Sequence, residues 1–346
     1  MKTSFISTTS MSQTLRYQMM RLQSELVQSQ NEATTSRLSD PGAVLGARAG
    51  TSFSMARDVE RLEGLVDANS MAASRLAATQ DGLEELHGLG EKLLTTLTAA
   101  SDINAPQTVA EEARRGLETM TGILNTSVNG EHLFAGINTD TRPINDFTDP
   151  ASANKQGFDT LFQSHFGFTQ TDPAAAGITA AEMNAFLDEV ETYFLGSGWD
   201  DWSNASDRKI TSRITLNETA ETSMTANEAG IRKIAMTAAV LTDLLEIPLG
   251  EGARTALYAR GTQFVGEALS DIAHVQSEVG IAQTRVSDAS ERISSQVDLF
   301  KTMITDLEGV DPYEAATKVN ELLTQIETSY ALTARIQQLS LLRYLP

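Results

Sequence analysis

Few residues in this sequence have types and spacings suited to chemistry. The four histidines are His87, His132, His165 and His274, and none stands in HExxH or another metal-ligand spacing. They read as ordinary surface or interface histidines. Asp200-Asp201, set between Trp199 and Trp202, has the makings of a sugar or cation site, because aromatic faces and carboxylates serve both. A solvated loop with two partly packed indoles is the plainer account. Leu89-Gly90-Glu91-Lys92 lacks the glycine spacing of a phosphate loop. Asn125-Thr126-Ser127, Asn204-Ala205-Ser206 and Asn217-Glu218-Thr219 fit the Asn-glycosylation triplet, a pattern that arises often by chance. Cysteine is absent, which removes disulfides, thiolate nucleophiles and Cys-ligated zinc. No nucleophile–base pair or metal cluster assembles by spacing, so the expectation is a protein that is not an enzyme and has no cofactor or metal.

Composition narrows the remaining classes. The 346 residues carry a formal net charge of -20, which opposes binding to nucleic acid, where a basic stripe must displace counterions. The same charge opposes an anionic membrane surface. No run of about 18 apolar residues exists, so no bilayer span is expected. The opening Met1–Leu15 stretch has one Lys and no apolar core, unlike a cleaved secretory signal. Taken alone this means cytosolic, unless export follows a route that leaves its substrate uncut. Ala, Leu, Glu, Gln, Met and Arg recur and only 8 Pro occur, so long helices are allowed.

Periodicity supplies the helices. Met11, Leu15, Met19, Leu22, Leu26 and Ala33 fall on alternating steps of three and four, with Ser29 in the remaining slot. The seam is thin and ends at Ser39-Asp40-Pro41-Gly42, where Asp40 can cap and Pro41 open the next helix. A second helix is expected from about Val44 to Ala99, weakened locally by Gly64, Gly82, Gly88 and Gly90. A third runs from Pro106 toward Val128 on Val109, Ala113, Leu117, Met120 and Leu124. From about Ala226, Ile231, Ile234, Ala238, Leu241 and Leu245 form a stripe ended by Pro248 and Gly250. The longest pattern follows from Val275 to Leu307. Asp311-Pro312-Tyr313-Glu314 then starts a last helix, with Asp311 as cap. Its seam is Val319, Leu322, Ile326, Tyr330, Thr333, Ile336 and Leu339.

Between these arms the texture changes. Residues 129–215 hold most of the Phe and both Trp, and Ile210–Leu216 has strand-like composition. The expected architecture is mainly α, with an elongated helical rod and coiled-coil arms formed by the N- and C-terminal segments, carrying an inserted small mixed or β-rich domain. The expected boundaries are 1–42 with 310–346 for the arms, 43–138 with 226–309 for the rod, and 139–225 for the insert. Neither terminal seam has a local partner, so the two ends are expected to pair with each other.

Four stretches carry a family resemblance: Arg37-Leu38-Ser39-Asp40-Pro41, Gly130–Gly136 with its Leu133-Phe134-Ala135-Gly136, Asp306–Ala316, and Leu339–Leu345. Together they resemble the flagellin superfamily of flagellar axial proteins over roughly 1–138 and 226–346. The "LFAG" segment and the Tyr344-Leu345 ending are most similar to its hook–filament junction branch; His132 stands where Tyr is usual. The resemblance implies a structural role joining hook to filament, with hook-associated protein 1 and flagellin as neighbours and the chain itself forming a ring. It also implies uncleaved type III export, an export chaperone, terminal arms that order on packing in the tube, and an extracellular location in the flagellum. Met11, Leu15, Met19, Leu22, Leu26, Val319, Leu322, Ile326, Tyr330, Ile336 and Leu339 are the expected assembly interface. Two other readings stay open: flagellin, the bulk filament subunit, and a cytosolic helical scaffold or adaptor.

Overall fold

The computed structural model describes residues 8–103 and 105–341, and side chains for all of these except residues 8, 9, 12, 101–103 and 336–341. The chain divides into two compact units, residues 1–64 with 293–346 and residues 65–292. Nine α-helices occur among the described residues: α1 (Thr8–Thr35), α2 (Pro41–Leu45), α3 (Ala49–Ile103), α4 (Pro106–Leu124), α5 (Ala153–Phe166), α6 (Ala180–Leu195), α7 (Ala229–Leu244), α8 (Glu251–Glu308) and α9 (Pro312–Leu341). Four short strands, β1 (Ser127–Val128), β2 (Glu131–His132), β3 (Thr211–Arg213) and β4 (Thr219–Glu221), form two antiparallel two-stranded ladders.

The first unit contains α1, α2, α9 and the near ends of α3 and α8. Here α1 and α9 pack along each other, the pairing expected of the two chain ends. The Lys301 ammonium meets the Glu63 carboxylate at 2.7 Å, and the buried Ser52 hydroxyl donates to Glu308. The expected second helix starts later than Val44. Asp40 caps α2 through the Ala43 N–H at 3.0 Å, a 3₁₀ turn follows at Gly46–Arg48, and α3 begins at Ala49.

The second unit has a dense core. On α4, Val109, Ala113, Leu117, Met120 and Leu124 are all buried, as are Ile231, Ile234, Ala238 and Leu241 on α7. They meet Leu76, Leu83, Leu86, Leu93 and Leu97 of α3 and Leu257, Val265, Ile272, Val279 and Val286 of α8. Gly82 was expected only to weaken α3, yet it has a packing task. A Cβ there would lie 2.9 Å from the Phe134 ring, so the missing side chain is the socket for that phenyl group. Phe134 is pinned by its main chain: the Ala226 N–H donates to its carbonyl at 2.7 Å, and the adjoining Gly136 N–H donates to Met224 at 3.0 Å. Gly136 has φ +64, and a Cβ on it would meet the Ser206 carbonyl at 2.2 Å. The Leu133-Phe134-Ala135-Gly136 segment is therefore a buried strap, fully committed to packing.

Of the two alternatives for the insert, the mixed one holds. Its Phe residues lie mainly on helices: Phe158, Phe162 and Phe166 step by four along α5, Phe186 of α6 faces all three, and Phe194 of α6 packs on Trp199 and Trp202. Thr179 and Glu182 close a capping box at the start of α6. Asn129 and Gly130, both at positive φ, make the two-residue turn between β1 and β2.

Candidate functional site

The chemical candidates are absorbed by structure. Trp199 and Trp202 are buried and stacked on each other at 5.8 Å, with the Trp199 Nε1–H given to Asn227, so no indole face is open to a sugar. Asp201 accepts the Tyr193 hydroxyl at 2.9 Å, and burial together with that carboxylate pushes the Tyr193 phenol up. His132 Nδ1 donates to the Asn125 carbonyl at 2.9 Å, and His165 Nδ1 sits 2.7 Å from Glu189. His87 and His274 lie near the glutamates one turn on in their own helices, at 3.9 and 3.5 Å. The Asn125 amide is spent on both polar atoms of the Ile144 main chain. Among the described residues no three His, Cys, Asp or Glu side chains gather as a metal site. Leu89–Lys92 lies within α3.

What remains is the paired ends. On α1, Leu15, Met19, Leu22 and Leu26 are half-buried and Ser29 is buried, whereas Met11 is 43% exposed. On α9, Leu322 and Ile326 are buried with Ala315, Val319 is half-buried, and Tyr330 is 51% exposed. The Tyr330 hydroxyl accepts from the Gln23 amide of α1 at 3.3 Å. The side chains of Ile336 and Leu339 lie outside the described residues.

The seam is half of what these helices offer. Tyr17, Met20 and Val27 on α1 and Leu323 and Leu332 on α9 form a second, outward apolar set that the heptad reading passed over, and Tyr330, which that reading counted in the seam, is outward with them. Steps of seven relate Met20 to Val27 and Leu323 to Tyr330, so each pair shares one helix face. Of the 16 exposed large hydrophobic side chains among the described residues, only Met71, Ile137, Leu195 and Ile281 belong to the second unit, although it holds most of the chain. The first unit carries the rest, together with the thinnest packing. A soluble monomer rarely leaves apolar surface so concentrated unless a partner covers it.

The sequence matches the bacterial flagellin N-terminal helical region over residues 6–139 and the bacterial flagellin C-terminal helical region over residues 262–345. The chain belongs to the flagellin family. The two matches include α1 and α9 and the Leu133–Gly136 strap. Flagellin-family chains are structural parts of the flagellum outside the cell. The crystal structure of Bacillus cereus FlgL has the same fold, at TM-score 0.50 and 12% identity, covering 73% of this chain and 99% of that one. The structure of a putative flagellar hook-associated protein from Vibrio parahaemolyticus is similar at TM-score 0.41 and 11% identity, over 77% and 98% of the two chains. None of the curated proteins compared matches the sequence. No helix among the described residues is long and apolar enough to cross a membrane.

Proposed function

We propose that this flagellin-family chain is a structural subunit of the hook–filament junction, without catalytic activity. The observation that carries the subunit role is the apolar surface gathered on the paired terminal helices. Exposed Tyr17, Met20, Val27, Leu323 and Leu332 need neighbours, and a helical polymer supplies them on every side. The seam residues Leu15, Met19, Leu22 and Leu26 with Val319, Leu322 and Ile326 then hold α1 on α9, and the outward set meets adjoining subunits. Assembly completes a packing that one chain leaves thin, so ordering and binding are coupled. The charge of -20 keeps free chains apart until then, and salt weakens that repulsion.

Two observations support the junction over the bulk filament. The fold is shared with FlgL, hook-associated protein 3, over nearly all of that chain, and the Leu339–Leu345 stretch carries the Tyr344-Leu345 pair. On this reading hook-associated protein 1 lies on one side of a ring of these chains and flagellin on the other. The chain reaches the cell exterior through the type III export route without cleavage, and a chaperone covers α9 beforehand. We carry the threefold division into arms 1–42 with 310–346, rod 43–138 with 226–309, and insert 139–225 as part of this proposal. Immunogold labelling tests it. A single band at the filament base is expected, and label along the whole filament would show a bulk subunit instead. Deletion of residues 311–346 is expected to abolish filament attachment, and normal filaments from that truncation would end the proposal.

A further inference from the structure

The strand-like Ile210–Leu216 stretch and the Asn217-Glu218-Thr219 triplet build the β3–β4 hairpin and its tip. This hairpin lies where the helical core of the second unit runs out. Gly82 of α3 already lies beside Ile123, at the end of α4, and Gly230, at the start of α7, packs on Ile272 of α8. Beyond those levels α4 and α7 no longer flank the two long helices. The inward residues there are small: Asn69 and Ala72 on α3 and Ala289 on α8, all buried.

Three attachments hold the hairpin on both helices. Ile214 is fully buried and joins the apolar cluster that contains Ala72, Leu76, Val286 and Ala289. Its carbonyl accepts the side-chain N–H of buried Asn69 at 2.9 Å. Asn69 stands one heptad from Leu62 and one from Leu76, so it occupies a seam position of α3 where an apolar residue would be usual. A buried amide with no acceptor is costly, and the hairpin supplies the acceptor. On the other side, Glu218 accepts from two arginines of α8, one on each oxygen: Arg285 at 3.1 Å and Arg292 at 3.2 Å. Those arginines are seven positions apart and share a face. Arg285 also donates to the Thr219 carbonyl at 2.9 Å. At the foot of the hairpin the Lys209 ammonium meets Glu228 at 3.0 Å and Glu278 of α8 at 3.7 Å.

We propose that the β3–β4 hairpin is a splint: it fastens α3 to α8 along the stretch that α4 and α7 leave uncovered, and its anchors decide where the second unit ends. From Ile272 to Arg292 that stretch is about 30 Å of α8. The unit runs from Leu65 to Arg292, so its last residue is the outer arginine of the Glu218 clamp and its first lies one turn before Asn69. No attachment suffices alone. The clamp is partly solvated, with Glu218 36% and Arg285 46% exposed, and a surface ion pair contributes little. A hairpin with 3 residues in each strand is marginal by itself. Buried peg, amide and clamp together make each further contact intramolecular, so loosening one end loosens the other. The inference is independent of where in the flagellum the subunit sits.

Hydrogen exchange on the full-length chain, read by mass spectrometry, tests the splint. Glu218→Gln removes the charge of the clamp and keeps its size. The hydrogen bonds it weakens go to α8, yet amides 66–72 of α3 are expected to exchange roughly two- to tenfold faster, measured against amides 231–244 of α7. A salt bridge of purely local effect would speed exchange only at 211–221 and 285–292, and that result, or no change anywhere, overturns the proposal. Asn69→Ala works from the other end by deleting the donor to Ile214. Amides 285–292 are then expected to exchange roughly five- to hundredfold faster on the same α7 reference, the weight of a buried carbonyl left unpaired. An unchanged relative rate there, or a rise that α7 shares equally, overturns the proposal as well. Fluorescence of Trp199 and Trp202, both in the second unit, reports whether each variant is folded. Glu218→Gln, at a partly exposed site, decides alone if Asn69→Ala does not fold.

Discussion

Gly82 and Phe134 should be coupled in sign as well as in size. Replacing Gly82 by Ala in an ordinary helix interior gains about 1 kcal/mol. Here the added methyl would stand 2.9 Å from Phe134 Cζ and 3.1 Å from its Cε2. Phe134 is fully buried and held by its main chain, so it has little room to give. Overpacking of this kind costs about 1–3 kcal/mol, leaving Gly82→Ala neutral to about 2 kcal/mol destabilising in the parent. Phe134→Leu deletes both clashing carbons, at a cost of about 0.5–3 kcal/mol by itself. In that background Gly82→Ala should stabilise by about 1 kcal/mol, its helix propensity now unopposed. The double-mutant coupling is then about 1–3 kcal/mol. Urea unfolding followed by Trp fluorescence measures it, because Trp199 and Trp202 share a unit with both positions. Additivity within about 0.5 kcal/mol would refute the socket, and so would stabilisation by Gly82→Ala in the parent.

Gly136→Ala should destabilise the second unit by at least about 1–2 kcal/mol, the left-handed backbone penalty alone, since its Cβ would also strike the Ser206 carbonyl; an unchanged urea midpoint would contradict this. Leu322→Asp or Ile326→Asp should block assembly by placing an unpaired carboxylate in the seam, while the Trp-reported unfolding of the second unit stays put; sedimentation of polymerisation mixtures decides the first part and urea melts the second. Lys233 makes a pH prediction. Burial opposes its charge, but the hydrogen bonds that it donates to Glu267 and Asp271, each 3.0 Å away, outweigh burial and raise its pKa above 10.5. Glu267 is held below 4.5, first by the Lys233 hydrogen bond and then by that of Gln263. The pair's stabilisation is thus whole between those ordinary values. It is lost as pH rises through the folded Lys233 value, and as pH falls through the folded Glu267 value. Lys233→Met should flatten both limbs of the stability profile, and limbs of unchanged slope would remove this pair as their source.

How far the sequence could be read depended on how one-sided each helix is. The α4 stripe was legible because burial there follows a single face, and the helix start at Asp311-Pro312 because its cap is local; α7 is buried almost all round, and its stripe showed because the larger Ile and Leu side chains still fall at helical spacing. The first half of α8 was not picked out. Ala253, Ala256, Leu257, Tyr258, Val265 and Ala268 bury more than one face with small residues, so no clean period stands out. In the insert, the strand-like Ile210–Leu216 drew the β-rich alternative, while the spacing Phe158, Phe162, Phe166 carried the signal of the helix that is there. The Asn129-Gly130 turn was an overlooked hairpin signal. At the candidate site the seam was visible in the heptads. The outward set was not, because Tyr17, Met20 and Val27 interrupt a polar face and become meaningful only once the seam is seen to be occupied by α9.

Because α1 and α9 come from opposite ends of the chain, their pairing also serves as a proof of completeness. A polypeptide that stops short of Pro312 still contains every residue of the 65–292 unit, but it has nothing to lay along α1. On the proposed function, such a fragment can be well folded in that unit and yet fail to assemble, so incorporation is conditional on synthesis having passed Pro312 and reached α9.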